Sequence, residues 1–519
     1  MATTDPTFTA TTPIEDVTPA MFAKFTSADF SKLTNTQAEG LTAEQLAVLS
    51  TKTVSYLTAK LKYINSDALA GINVKAIPSL AVKSLTTNQL DALTPEQMAA
   101  LTSAQVRALN STQLAALDED HLAALSVGKG LLGLNITLLT SSSIGLLMPK
   151  QIAALTAAQI TAISTKQVVG LTADQAPAFT KIQATNFPSK SIPSLPTDVI
   201  ESLDSKFIAA LPTKSFGALT TAQITALTSE QATVITSAQI GVLTSEKVAA
   251  LDAEDIAALS VAAIAGFNAK NMAGLTLSEL TGNGQLAVLR PSQFSYLSTG
   301  QIAAIDETGA ALLTKVAITA LTSAQISAIN VAILPDIDSA SIAGLTSKNI
   351  PGLSTAQIAA FTSDQVAVFT ATQVKALTPA QISALEVEDF AAMTPTAIAA
   401  ISAAAMPLLS PTVFNSITGE QIAALKSTQA KVLTNAQIAA INVDSVGGLK
   451  STVIKQWSAE QTTSLTTAAI EALNVSVIKY LNLTGFDAAD IAALTADQAF
   501  FLSNSHYENR SCCIKENRV

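Results

Sequence analysis

The residues able to do chemistry are few and scattered. The chain of 519 residues has two histidines, His121 and His506, two cysteines, Cys512 and Cys513, and only 13% charged residues. Adjacent cysteines rarely bridge each other and no CxxC occurs, so the spacing supports neither a disulfide framework nor a zinc site. GKGLLG at Gly128–Gly133 matches the GxGxxG of phosphate-binding loops. A lone match without a strand, turn and helix around it is weak, and it is read as an irregularity in the surrounding pattern. DEDH at Asp118–His121 and DAED at Asp252–Asp255 gather carboxylates, but both lack the Gly and the distal Glu of an EF-hand loop. Asp118 and Asp252 are read as helix caps, and Asp120 and Glu254 as solvated side chains. Acid–base chemistry at His121 would need a partner. No Ser, Cys or second His is placed beside it by the pattern, so it is read as a polar exchange. No catalytic, cofactor-binding or metal site is assigned, and an enzyme is not expected.

Composition points the same way. Hydrophobic residues make up 49% of the chain and aromatics 4%, and 39 acidic residues face 29 basic ones for a net charge of −10. An acidic chain without a basic patch repels phosphate backbones, which argues against a nucleic-acid partner. The start, MATTDPTFTATTPIEDV, lacks the basic and apolar regions of a Sec signal. Two uncharged runs, residues 131–149 and 390–419, are interrupted by Asn135, Thr137 and Thr140 in one and by Pro395, Pro407 and Pro411 in the other. Neither offers the roughly 20 consecutive apolar residues of a membrane span.

What must position every side chain is an eight-residue repeat. From Leu219 the chain reads LTTAQITA, LTSEQATV, ITSAQIGV, LTSEKVAA, LDAEDIAA. Position 1 is Leu, Ile or Phe; position 2 Thr, Ser, Asn or Asp; positions 3 and 4 are variable; position 5 is Gln; position 6 Ile or Val; positions 7 and 8 Ala. The register holds for 18 octads from Leu139 to Gly282 and for 24 from Leu289 to Tyr480. Breaks include the extra residue of LSVGKGLLG, the short LNITL that follows it, a short unit at residues 283–288 and LNLTG before Phe486. This divides the chain into an N-terminal arm (1–16), an octad-repeat segment (17–501) and a non-repeat tail (502–519).

Along one continuous helix an octad turns through about 800°, so its apolar stripe would wind around the axis. One long amphipathic helix is therefore excluded. Thr-x-x-Gln is the capping-box pattern, in which the Thr oxygen accepts from the third helical amide and the Gln reaches back to the cap's own amide. Each octad is thus expected to start its own short helix, as at Thr220 and Gln223. Exchange of Thr for Asp118, Asp252, Asn110, Asn268 or Ser298 keeps a capping side chain, and Pro95, Pro379 and Pro395 follow their caps where a missing N–H costs nothing. The same capping accounts for the sequons at Asn110, Asn474 and Asn482. It also occupies the Thr hydroxyls, which weakens an ice-binding reading of the Thr ladder. Helices so short need packing against neighbouring units. The expected fold is an all-α elongated solenoid, with a β-solenoid as the alternative because positions 1 and 6 are rich in Ile and Val. Trp457, Phe361 and Phe369 stand at position 1 and are expected in the core. Blocks at Leu321, Leu377 and Leu433 recur every 56 residues, which suggests a module of seven octads, read as one superhelical turn.

LTSAQISAI at Leu321, LTNAQIAAI at Leu433 and LTTAQITAL at Leu219 resemble the tandem L-T-x-x-Q-[IV]-x-A-[LI] arrays of large bacterial proteins labelled as haem-utilisation or adhesion proteins. The resemblance covers residues 17–501. It implies a secreted or surface-associated protein, commonly exported by a type I system. No haem ligand motif aligns with His121 or His506. LTPEQMAAL at Leu93 is also similar to the opening of a TAL-effector repeat, but those repeats are several times longer and carry a base-reading loop that the octad lacks. The functional expectation is a structural scaffold or adhesin-like spacer, extracellular or on the cell surface. The alternative is a cytoplasmic or delivered scaffold that binds a protein along its face. A protein or cell-surface partner and self-association are compatible with both, and no cofactor is implied.

Overall fold

A computed structural model describes residues 8–277, 280 and 285–502. The Cys512, Cys513, His506 and Asn509 of the tail lie outside the described residues. The fold is all-α, built from α-helices of four to six residues and short 3-10 helices, and no strand occurs among the described residues. This excludes the β-solenoid. The physical reason lies in the cap: Thr220 is extended, its Oγ1 accepts the Gln223 amide at 3.2 Å, and its own amide donates to Gln223 Oε1 at 2.9 Å. The helix Thr221–Thr225 follows, and Leu227 N donates to Ile224 O to close it. Most backbone donors are thus consumed within the octad or its immediate neighbour, and few are left for a sheet ladder. Two extended residues then turn the chain before the next helix.

Prolines confirm the register. Pro95, Pro379 and Pro395 start their helices directly after Thr94, Thr378 and Thr394. Pro at position 7 acts differently. Pro177, Pro193, Pro351 and Pro407 sit in the 3-10 helices Ala176–Ala178, Ile192–Ser194, Ile350–Gly352 and Met406–Leu408. A proline there has no N–H for an α-type bond, so the tighter turn replaces the α-helix without moving the unit.

Packing follows the octad closely. In the unit from Leu219, positions 1, 5 and 6 (Leu219, Gln223, Ile224) are buried, and the side chains at positions 3 and 4 are exposed. Each helix packs chiefly on the third helix before or after it, as Ser229–Ala232 does on Ala253–Ala258 and Pro291–Phe294 on Lys315–Ala320. One superhelical turn therefore takes about three and a half octads, or 28 residues, which is the separation of the recurring side-chain bond from Gln223 to Leu195 O. The 56-residue module corrects to two turns instead of one. At about three and a half octads per turn, the seven-octad spacing of the blocks at Leu321, Leu377 and Leu433 corresponds to about two turns. Contacts divide the chain into two compact units with the boundary between Phe267 and Asn268, and the same local packing runs through each. Residues 8–16 precede the octad pattern, yet Phe8 and Ile14 are buried and Thr9 and Thr12 offer their carbonyls to Gln37.

At several position-8 glycines one turn approaches the backbone of another. A Cβ on Gly170 would lie 1.9 Å from Ser141 O, and one on Gly352 would lie 2.2 Å from Ser323 O. In both cases the neighbour is the position-3 backbone one turn earlier. Gly170→Ala is expected to lower stability by about 1–3 kcal/mol, the usual cost of overpacking. Met148 holds a cap position without a capping oxygen, although its amide still donates to Gln151 Oε1. Met148→Thr should raise stability by about 0.5–2 kcal/mol. Denaturant titration followed by circular dichroism measures both.

Candidate functional site

The most specialised place in the molecule is the position-5 slot. Gln223 shows what it normally does. Beyond the two bonds of the capping box, its Nε2 donates to Ile192 O at 2.7 Å and to Leu195 O at 2.8 Å, 31 and 28 residues earlier. These are the position-6 and position-1 carbonyls at the end of a helix in the preceding turn. Gln105, Gln183, Gln231, Gln365 and Gln437 repeat the arrangement. Where the octad register slips, the span changes and the partners do not. Gln159, after the three-residue deficit of LNITL, reaches Leu131 and Leu134 at 28 and 25 residues. Gln151, with both LSVGKGLLG and LNITL in its span, reaches Leu122 and Leu125 at 29 and 26.

Some exchanges at position 5 keep a donor, whereas others, such as Val199, Phe207, Ala317 and Val413, do not. Asn349 Nδ2 reaches Ile318 O and Leu321 O, Lys247 Nζ reaches Gly217 O at 2.6 Å, and Ser191 and Ser445 reach Ile163 O and Ile417 O. His121 belongs to this set. It is buried, its Nε2 lies 3.0 Å from Leu93 O, and its Nδ1 lies 2.6 Å from Asp118 Oδ1. Asp118 caps the helix Glu119–Ala124 through the His121 amide, and that bond is the chief cause holding its carboxyl below the usual range. Asp120 is exposed, as expected.

Carboxylates stand at position 5 too, at Asp29, Asp255, Asp389 and Asp490; burial raises the pKa of Asp255, the last residue of the DAED run, and of Asp389. Asp252 caps through the Asp255 amide, and Glu254 is exposed as expected, but Asp255 is buried with Oδ2 lacking any partner. Burial, with Asp252 beside it, pushes the Asp255 carboxyl up to about 6. Asp389 is also buried; it accepts the Glu386 amide at 3.0 Å and the Ser363 hydroxyl at 3.3 Å, and burial raises its pKa. The signal is present, since both stand where the consensus has Gln, but the need for a donor there becomes visible only with the preceding turn in place.

The other candidates read from the sequence fall into the repeat. GKGLLG forms a turn and the helix Gly130–Gly133, with a Cβ on Gly133 placed 2.0 Å from Ser103 O. Asn110, Asn135, Asn474 and Asn482 accept nearby backbone amides. Trp457, Phe361 and Phe369 are core residues, with the Trp457 indole N–H unpartnered. Thr220 and its counterparts spend their hydroxyls on amides. Open grooves also occur among the described residues. One, of about 550 Å³, is lined by Thr87, Ser111, Thr112 and Thr140 among others. Another, of about 490 Å³, is lined by Lys450, Asn474, Lys479 and Tyr480, with the Lys455 ammonium 4.0 Å from the Tyr480 ring centre.

Four segments, residues 73–103, 98–127, 208–245 and 334–371, match the family model of the ALTTAQ repeat. No curated protein matches the chain. The repeat matches support a tandem-repeat protein, in agreement with the packing.

The buried carboxylates make stability depend on pH with a definite sign. A carboxyl whose folded pKa exceeds its unfolded value binds protons more readily in the folded state, so folding gains as pH falls through about 6 toward the unfolded value of 3.8. Asp255→Gln is expected to stabilise the protein at pH 7 by the roughly 1–3 kcal/mol that an unsatisfied buried polar group costs. It should also remove the part of the gain between pH 7 and pH 5 that Asp255 supplies. Melting curves of both proteins at the two pH values test this.

Proposed function

We propose that this tandem-repeat, all-helical protein is a non-enzymatic scaffold or adhesin-like spacer, working outside the cell or at its surface. The observation that supports this best is the position-5 slot, whose buried donors, such as Gln223, are engaged in holding one turn on the next. What the octads show to solvent is a repeated surface of small and polar side chains at positions 3 and 4. A surface made by repetition suits a spacer or a many-point contact with a protein or cell-surface partner. Export is supported by the resemblance to haem-utilisation and adhesion arrays and by the lack of cysteine before Cys512. Among the described residues no helix is long and apolar enough to cross a membrane, so attachment through a described helix is not part of the proposal.

Fractionation of cells expressing the native gene is expected to place the protein in the medium or on the surface, accessible to added protease. Retention in the cytosol with one stoichiometric protein partner would replace this reading with an intracellular scaffold.

A further inference from the structure

Two departures from the octad consensus, Asp91 and His121, meet a capping aspartate, Asp118, at one point. Asp91 stands at position 7, where most octads have a small residue; Asp118 stands at position 2; His121 stands at position 5. Asp91 belongs to the helix Thr87–Asp91, one turn before the other two. One ligand atom from each residue lies within 4.8 Å of the others, with both aspartates exposed and His121 buried.

The histidine's hydrogen bonds make this more than a charge cluster. Nε2 faces Leu93 O at 3.0 Å, and a carbonyl only accepts, so Nε2 holds the ring proton. On a neutral ring Nδ1 then presents a lone pair to Asp118 Oδ1 at 2.6 Å, which is an acceptor facing an acceptor. A cation between them turns this repulsion into attraction. A ring N–H given to a backbone carbonyl is also the outer-shell bond that orients metal-binding histidines.

We propose that His121 Nδ1 and carboxylate oxygens of Asp118 and Asp91 bind a divalent transition ion of the zinc type, with water completing the shell. Imidazole favours such ions over calcium or magnesium, and the exposed carboxylates leave one side open to solvent. Because Asp91 comes from the preceding turn, the ion ties two turns together where Gln would otherwise do so through its amide alone.

The test uses zinc chloride and the full chain carrying C512S, C513S and H506Q, which removes the other thiol and imidazole ligands. H121Q restores the consensus residue together with its staple, and D91A restores a small consensus residue, so both variants should keep the fold. The expected result is one zinc per chain by isothermal titration and a zinc-dependent rise in Tm. D91A should bind at least about tenfold more weakly, and H121Q should show neither effect. Equal zinc binding by all three proteins would overturn the proposal. So would no binding by the parent, which would leave the His121–Asp118 contact as an imidazolium–carboxylate pair.

Discussion

The structure depends on one primary amide. Where position 5 is Gln, its side chain typically accepts the amide of its own cap and donates to carbonyls one turn earlier, as Gln223 does with Thr220, Ile192 and Leu195. A helix of five residues has too few internal bonds to persist in water, and its ends leave amides and carbonyls without partners. The Gln addresses both problems. Its oxygen closes the start of its own helix, and its nitrogen closes the end of another. Only a side chain with both an acceptor and a double donor on one rigid group makes all of these contacts from a single buried position.

Geometry at larger scale follows from this contact. With Nε2 meeting carbonyls 28 and 31 residues back, a turn contains three and a half octads, and adjacent turns are offset by half a unit. Position 8 of one octad then lies over position 3 of another, where Gly170 and Gly352 meet the backbone of Ser141 and Ser323. Short and long units are accommodated because the stapled carbonyls, and not the residue count, define the turn. Gln151 and Gln159 keep their position-6 and position-1 partners across the irregular residues 125–138.

The slot also shows which chemical freedom the repeat retains. Lys247, Asn349, Ser191 and His121 differ in size and charge, yet each directs a donor or a ring nitrogen to the preceding turn. Asp255 and Asp389 invert the requirement, and burial raises the pKa of both. A low content of His, Cys and aromatic residues is therefore what a repeated structural contact produces. Burial in the slot makes Asp255 and Asp389 the carboxyls through which stability responds to protons.

Capping, the shortness of the helices and the place of Pro95, Pro379 and Pro395 were determined by the sequence alone, because all are interactions within eight residues. Thr220 with Gln223 and Pro95 after Thr94 could be read directly. The second half of each Gln's work could not be read, since it requires knowing which residues lie one turn away. Nor could the burial of Asp255, the meaning of the 56-residue spacing, or the approach of Asp91 to His121. These belong to the tertiary structure: the octad specifies a bend, and only the accumulated bend over three and a half octads decides which backbone and side chains come within bonding distance.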